Sequence, residues 1–337
     1  MILHWIIAGI VVVLVAVRPR SWAATSSAAS LALLVNASAI GLALRAVAPT
    51  VALLAVALGL SGLAVRLGFA HWAAARLSAT AGGSAWRLFA LVCAGTALLT
   101  AAVTLDGAVV VMAPVLVELH RRFGAPLRPL VLGTVAVANA FSLALPEGNP
   151  TNLVVIERLG LSLGQETRTM LLPGVLAAVL CAAAVARRER GVLARPIGGG
   201  PGTPASAQAH PGLVGVVRLA VQIVALLVAL TPLGHPALGS DGLPGLLAVA
   251  LAASALAALA NNLPASAIVA AGLTAGPAAY AALIGLSVGA LAVPRGSVAT
   301  AIAGELTGER PHTRVLVPTA VAAALAATVV MWLIAVN

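Results

Sequence analysis

Lysine is absent from this chain, tyrosine occurs once, cysteine twice, and only 8% of the residues are charged. Each shortage excludes something. Cys93 and Cys181 lie far apart in apolar runs, which rules out a disulfide framework or a thiolate metal site; both read as small hydrophobes. Ordinary soluble domains carry about 25% charged residues, so the low charge excludes that class. The histidines show no metal-ligand spacing, and no HExxH, P-loop, GxSxG or dinucleotide fingerprint occurs. An enzyme, an ATP-driven motor, a cofactor and a metal are therefore not expected. The net charge of +10 is no nucleic-acid signal, because most of the arginines sit in short segments between apolar runs.

What is abundant is apolar surface: 61% of residues are hydrophobic and mean hydropathy is +1.09. Repeated apolar runs of roughly twenty residues predict an all-α polytopic membrane protein, since helices satisfy their own backbone hydrogen bonds in lipid. Spans are expected near 2–17, 28–44, 49–65, 129–157, 169–186, 213–231, 279–307 and 315–335. The first run has no basic residue ahead of it and Arg18 and Arg20 behind it, so it reads as a retained helix with its N-terminus outside. With that start the positive-inside rule holds along the map: of the arginines in loops, only Arg45, Arg158 and Arg168 fall outside. Both termini are then external. The bias to Ala, Gly, Val and Arg suits a GC-rich genome and a bacterial inner (cytoplasmic) membrane.

Two further apolar stretches, 86–121 and 243–275, are split by short polar islands, Thr104-Leu105-Asp106-Gly107 and Asn261-Asn262-Leu263-Pro264. Two spans are broken as well, by Pro146-Glu147-Gly148-Asn149 and by Pro294-Arg295-Gly296-Ser297. The stretch Ala108 to Leu119 after the first island makes about 18 Å of helix against a hydrocarbon core of about 30 Å. The split stretches therefore read as re-entrant hairpins. Hairpin, broken helix and full span recur in the same order with opposite orientation, the sign of an inverted-topology transporter. The expected organisation is N-terminal scaffold helices over 1–48 and a first inverted repeat over 49–187 (hairpin 86–121, broken helix 129–157). A mobile cytoplasmic linker follows at 188–212, then a second repeat over 213–337 (hairpin 243–275, broken helix 279–307).

The islands supply the candidate binding residues. A carboxylate within the membrane costs about 2.5–3.5 kcal/mol on insertion scales, so Asp106 reads as functional, as the proton carrier, although Asp106-Gly107 also suits a helix start. Thr104 belongs to the same tip. In the first broken helix Pro146 and Pro150 remove donors, while Glu147, Gly148, Asn149 and Asn152 provide unusual dihedrals, donors and acceptors. Asn261 and Asn262 fit either a cap before Pro264 or a ligand contact. Gly296 and Ser297 mirror Gly148 and Asn149. A guanidinium at Arg295 requires a partner, and symmetry sets it opposite Glu147, where it takes the place of a coupling cation or attracts an anion.

These segments resemble the arsenite-pump (ArsB-type) permeases of the ion transporter superfamily: TLDGAVVVMAPVLVEL (104–119), LPEGNPTNLVV (145–155), ANNLPASAIVAAGL (260–273) and SVGALAVPRGSVAT (287–300), with AHWAAARLSATAGGSAWRLF (70–89) similar too. The resemblance implies an elevator-type carrier exporting arsenite or antimonite by proton exchange, sometimes with a soluble ATPase subunit; homodimers are common among such carriers. Leu105 stands where that family has Asn, Arg295 where it has an apolar residue, and the second half is shorter than usual. Two alternatives stand beside it. One is a carboxylate, inorganic-anion or sodium/proton carrier of the same superfamily. The other is a transport-inactive membrane scaffold or sensory subunit.

Overall fold

The computed structural model describes residues 2–18, 21–197, 213–230, 242–294, 296–309 and 316–336. Among these the chain is helical throughout, with one isolated bridge between Ser84 and Pro196 and no strand. Six described helices are long and apolar enough to cross a membrane. The fold is that of an all-α polytopic membrane protein.

The first group of helices is α1 (Ile2–Val17), α2 (Trp22–Asn36), α3 (Ile40–Arg66) and the short α4 (Phe69–Ala81). Spans expected at 28–44 and 49–65 are thus redistributed. Asn36 leaves helical dihedrals at φ −152°, ψ 62°, a 3₁₀ turn follows at Ala37–Ala39, and α3 then runs unbroken through Pro49. Gly68 and Gly82, both left-handed, bracket α4. Its Trp72 is exposed, as are Trp5, Trp22 and Trp86, consistent with aromatic anchors at a membrane boundary.

The first half continues with α5 (Ala85–Val103), α6 (Leu105–Phe123), α7 (Leu127–Phe141), α8 (Pro150–Leu159) and α9 (Leu163–Arg188). Helices α5 and α6 pack against each other as a hairpin. Each has 19 residues, about 28 Å at 1.5 Å per residue, so the arms are longer than the sequence suggested. Pro114 sits inside α6 without ending it; the stop comes at the left-handed Gly124. The start of the expected linker, residues 188–197, is structured: it forms α10 (Arg190–Leu193), Glu189 pairs with Arg128 at 3.3 Å, and Ile197 N–H donates to the Gly83 carbonyl. The rest of the expected linker lies outside the described residues.

The second half holds α11 (Leu213–Leu230), α12 (Leu243–Ala260), α13 (Asn262–Ala271), α14 (Pro277–Gly289), α15 (Val298–Thr307) and α16 (Val317–Val336). Small residues set its closest packing. A Cβ on Gly285 or Gly289 of α14 would collide with Ala250 or Ser254 of α12, so this glycine pair lets two backbones meet in the way membrane helices use. Helices α7 and α14 are buried almost throughout, with α9, α12 and α16 packed around them, while α1, α2, α3 and α11 pack together beside this group. The halves also cross over. Helix α6 of the first hairpin packs on α15, and α13 of the second hairpin packs on α8.

Candidate functional site

Two backbone irregularities locate the site. Among the described residues only Thr104 (φ 95°) and Asn261 (φ 72°) are non-glycine positions with positive φ, and they are the turning points of the two hairpins. A β-branched residue in that region is an outlier, and such outliers persist where surrounding structure enforces them. Each tip is stabilised by its own side chain. Thr104 Oγ1 accepts from Gly107 N–H at 3.3 Å, and Asn261 Oδ1 accepts from Leu263 N–H at 3.2 Å.

The broken helices match as closely. A 3₁₀ turn at Ser142–Ala144 precedes an extended Leu145, and one at Ala290–Ala292 precedes an extended Val293. The chain then folds back so tightly that a Cβ on Gly148 would lie 2.7 Å from the Ser142 carbonyl, and one on Gly296 would collide with that of Ala290. Only glycine fits at either place. Asn149 and Ser297, both extended, then start α8 and α15.

These four irregular points converge. A pocket of about 10 Å³ is lined by Asp106, Asn149, Thr151 and Asn262, with Leu105, Pro150, Leu263 and Val298 between them. Asn262 N–H donates to the Gly296 carbonyl at 2.8 Å, tying the second tip to the second break. Asn149 Nδ2 donates to Ser142 Oγ at 3.3 Å and to Ser287 Oγ at 3.5 Å, joining the first break to α14. Asp106, only 5% exposed, receives the backbone N–H of Ala299 in the first turn of α15. A carboxylate there faces the positive end of a helix from the opposite half. Its Oδ1 has no hydrogen-bond partner, and neither do the buried Ser297 Oγ and Thr300 Oγ1.

Asp106, Asn149 and Asn262 are therefore brought together, with Ser297 buried at the start of α15. Thr104, Gly107, Asn261, Gly148 and Gly296 shape the backbone around the pocket without lining it. Asn152 lies behind it, its Nδ2 donating to the carbonyls of Ser142 at 2.8 Å and Leu145 at 3.1 Å. That amide holds the fold-back in place. Glu147 is a correction: it is exposed, because the 3₁₀ turn Pro146–Gly148 buries its two neighbours and turns the middle residue outward. Arg295, and with it the pairing to Glu147, lies outside the described residues. Glu118 pairs with Arg122 and, at 3.3 Å, with His71 of α4.

Sequence reasoning missed Ser142, Ser287, Thr151 and Thr300. Each is a hydroxyl inside or beside an apolar helix, where bonding to a nearby carbonyl is the ordinary reading. The available signal was the repeat itself, which pairs Asn149 with Ser297 and Asn152 with Thr300. Among the described residues no group of His, Cys, Asp and Glu could hold a metal ion.

The citrate transporter family matches the chain over residues 10–337. Neither the curated proteins nor the solved structures yield a match. The family found is thus the citrate transporters, whereas the sequence motifs pointed to the arsenite-pump permeases.

Proposed function

The chain belongs to the citrate transporter family and is a secondary membrane transporter of carboxylate or anion type; on that premise we propose that it carries a small carboxylate or similar oxyanion coupled to protons at Asp106. The observation that carries this reading is the position of Asp106. Its carboxylate occupies the N-terminal end of α15, and across the pocket Asn149 caps the N-terminal end of α8. Helix starts attract anions. With Asp106 ionised, one helix end is already neutralised and a solute anion is repelled. With Asp106 protonated, that repulsion is removed and the start of α15 is free to attract a solute carboxylate. Proton and anion then move together.

A cavity of about 10 Å³ holds about one water, so the tips and breaks must separate before any solute enters. The division between the helices gathered around α7 and α14 and the α1–α2–α3–α11 group supports an elevator movement of one against the other.

A second reading, export of arsenite or antimonite by proton antiport, is favoured by the lining itself. No described residue of the pocket is cationic. Arsenite near neutral pH is mostly the uncharged trihydroxide, which donates hydrogen bonds to an ionised Asp106 and to Asn149 and Asn262 oxygens. A proton on Asp106 would compete with it, so proton and solute would alternate. The sign of coupling separates the two readings. In proteoliposomes holding the full chain, labelled citrate and arsenite are offered under an imposed pH gradient. Citrate moving with the proton supports the first reading; arsenite moving against it supports the second. Sodium-driven movement, or none of any solute, would overturn both.

A further inference from the structure

Away from the hairpin tips, a second carboxyl lies deep in the protein. Glu166, in the first turn of α9, is 0% exposed, and neither of its oxygens has a hydrogen-bond partner. No cationic side chain faces it, and at this start of α9 the N–H groups of Gln165 and Glu166 donate to Ser162 rather than to its carboxyl. Tyr280 of α14 is in electrostatic range, with its hydroxyl hydrogen-bonded to Thr169, and Glu147 lies close enough to repel. Helix α9 also packs against α5, α7, α10 and α16. Helix α16 has no titratable residue. The arginines of α5, α7 and α10 sit at the opposite end of α9, where Arg128 meets Glu189. On α9 itself Arg168 is exposed, and Arg187 and Arg188 end the helix.

An ionised carboxylate in such a place carries a desolvation cost of several kcal/mol that only a partner charge or donors could offset. Among the described residues there are none. We propose that Glu166 is a proton-binding site separate from the solute pocket, its carboxyl enclosed as the neutral acid between α9, α14 and the 3₁₀ turn at Glu147. The bound proton keeps the α9–α14 contact closed, and its loss loosens that contact. This inference does not depend on the solute or on the direction of coupling.

The test uses the purified full-length chain and needs no solute. Infrared spectra of wild-type protein at neutral pH should show the C=O stretch of a protonated carboxyl that shifts on ¹³C-glutamate labelling. The shifting band should persist in Asp106→Asn and vanish in Glu166→Gln. As pH rises, the unfolded chain releases this proton more readily than the folded one, so stability falls. Wild-type melting temperature should therefore drop toward alkaline pH, and Glu166→Gln, a permanently neutral isostere, should lose that part of the slope. A glutamate-independent band, or parallel pH dependence in the two proteins, would overturn the proposal. The labelling arm uses wild-type protein alone and stands even where the Gln variant fails to fold.

Discussion

Asp106 joins two chain halves through one hydrogen bond to Ala299 at the start of α15. Its replacement by Asn keeps a group of the same shape and removes the titration. Asp106→Asn should leave a folded, monodisperse carrier whose solute movement no longer responds to a pH gradient; retained coupling in proteoliposomes would remove Asp106 from the proton path. Gly296 tests a different physical demand. A methyl there meets the Ala290 carbonyl, and overpacking of that kind costs about 1–3 kcal/mol. Gly296→Ala should lower the melting temperature and weaken transport together, while Gly164→Ala, which meets nothing within 4 Å, should do neither.

At the scale of the element, the two hairpins turn on single residues rather than on loops. Asn261 sits at φ 72° and ψ 149°, a region that is essentially glycine's and that crowds a β-branched side chain most. Asn261→Gly should fold normally with the cap to Leu263 lost, whereas Asn261→Val should be destabilised by about 1–3 kcal/mol, read as a drop in melting temperature relative to the glycine variant. Equal stability of the two would show that the tip relaxes to another conformation. The hairpins were legible in the sequence because Thr-Leu-Asp-Gly and Asn-Asn-Leu-Pro interrupt apolar runs. Their lengths were not legible. Helix α6 runs past Pro114 to Phe123, held by its packing against α3, α4, α7 and α15.

For the whole molecule the decisive feature is the crossing of halves, α6 on α15 and α13 on α8. A carrier that moves its centre against α3 should stop when the two are joined. A cysteine pair bridging α3 and α6, which pack together, should abolish transport on oxidation and restore it on reduction. The two native cysteines are free and buried, which leaves a quiet background for that experiment. Undiminished transport by the cross-linked protein would exclude relative motion at this contact.

The sequence by itself determined that this is a membrane-embedded helical protein with two matched pairs of interrupted segments. Scarce charge and helix-breaking residues act locally, and local effects can be read from a string. Tertiary structure decided which polar groups meet. Glu147 and Asn149 are two positions apart, yet a 3₁₀ turn sends one outward and the other into the pocket. Asp106 finds its donor nearly two hundred residues away, and Glu166 is buried where α9 meets α14 and the turn at Glu147. Such placements follow from long-range packing of helices, and no local pattern encodes them.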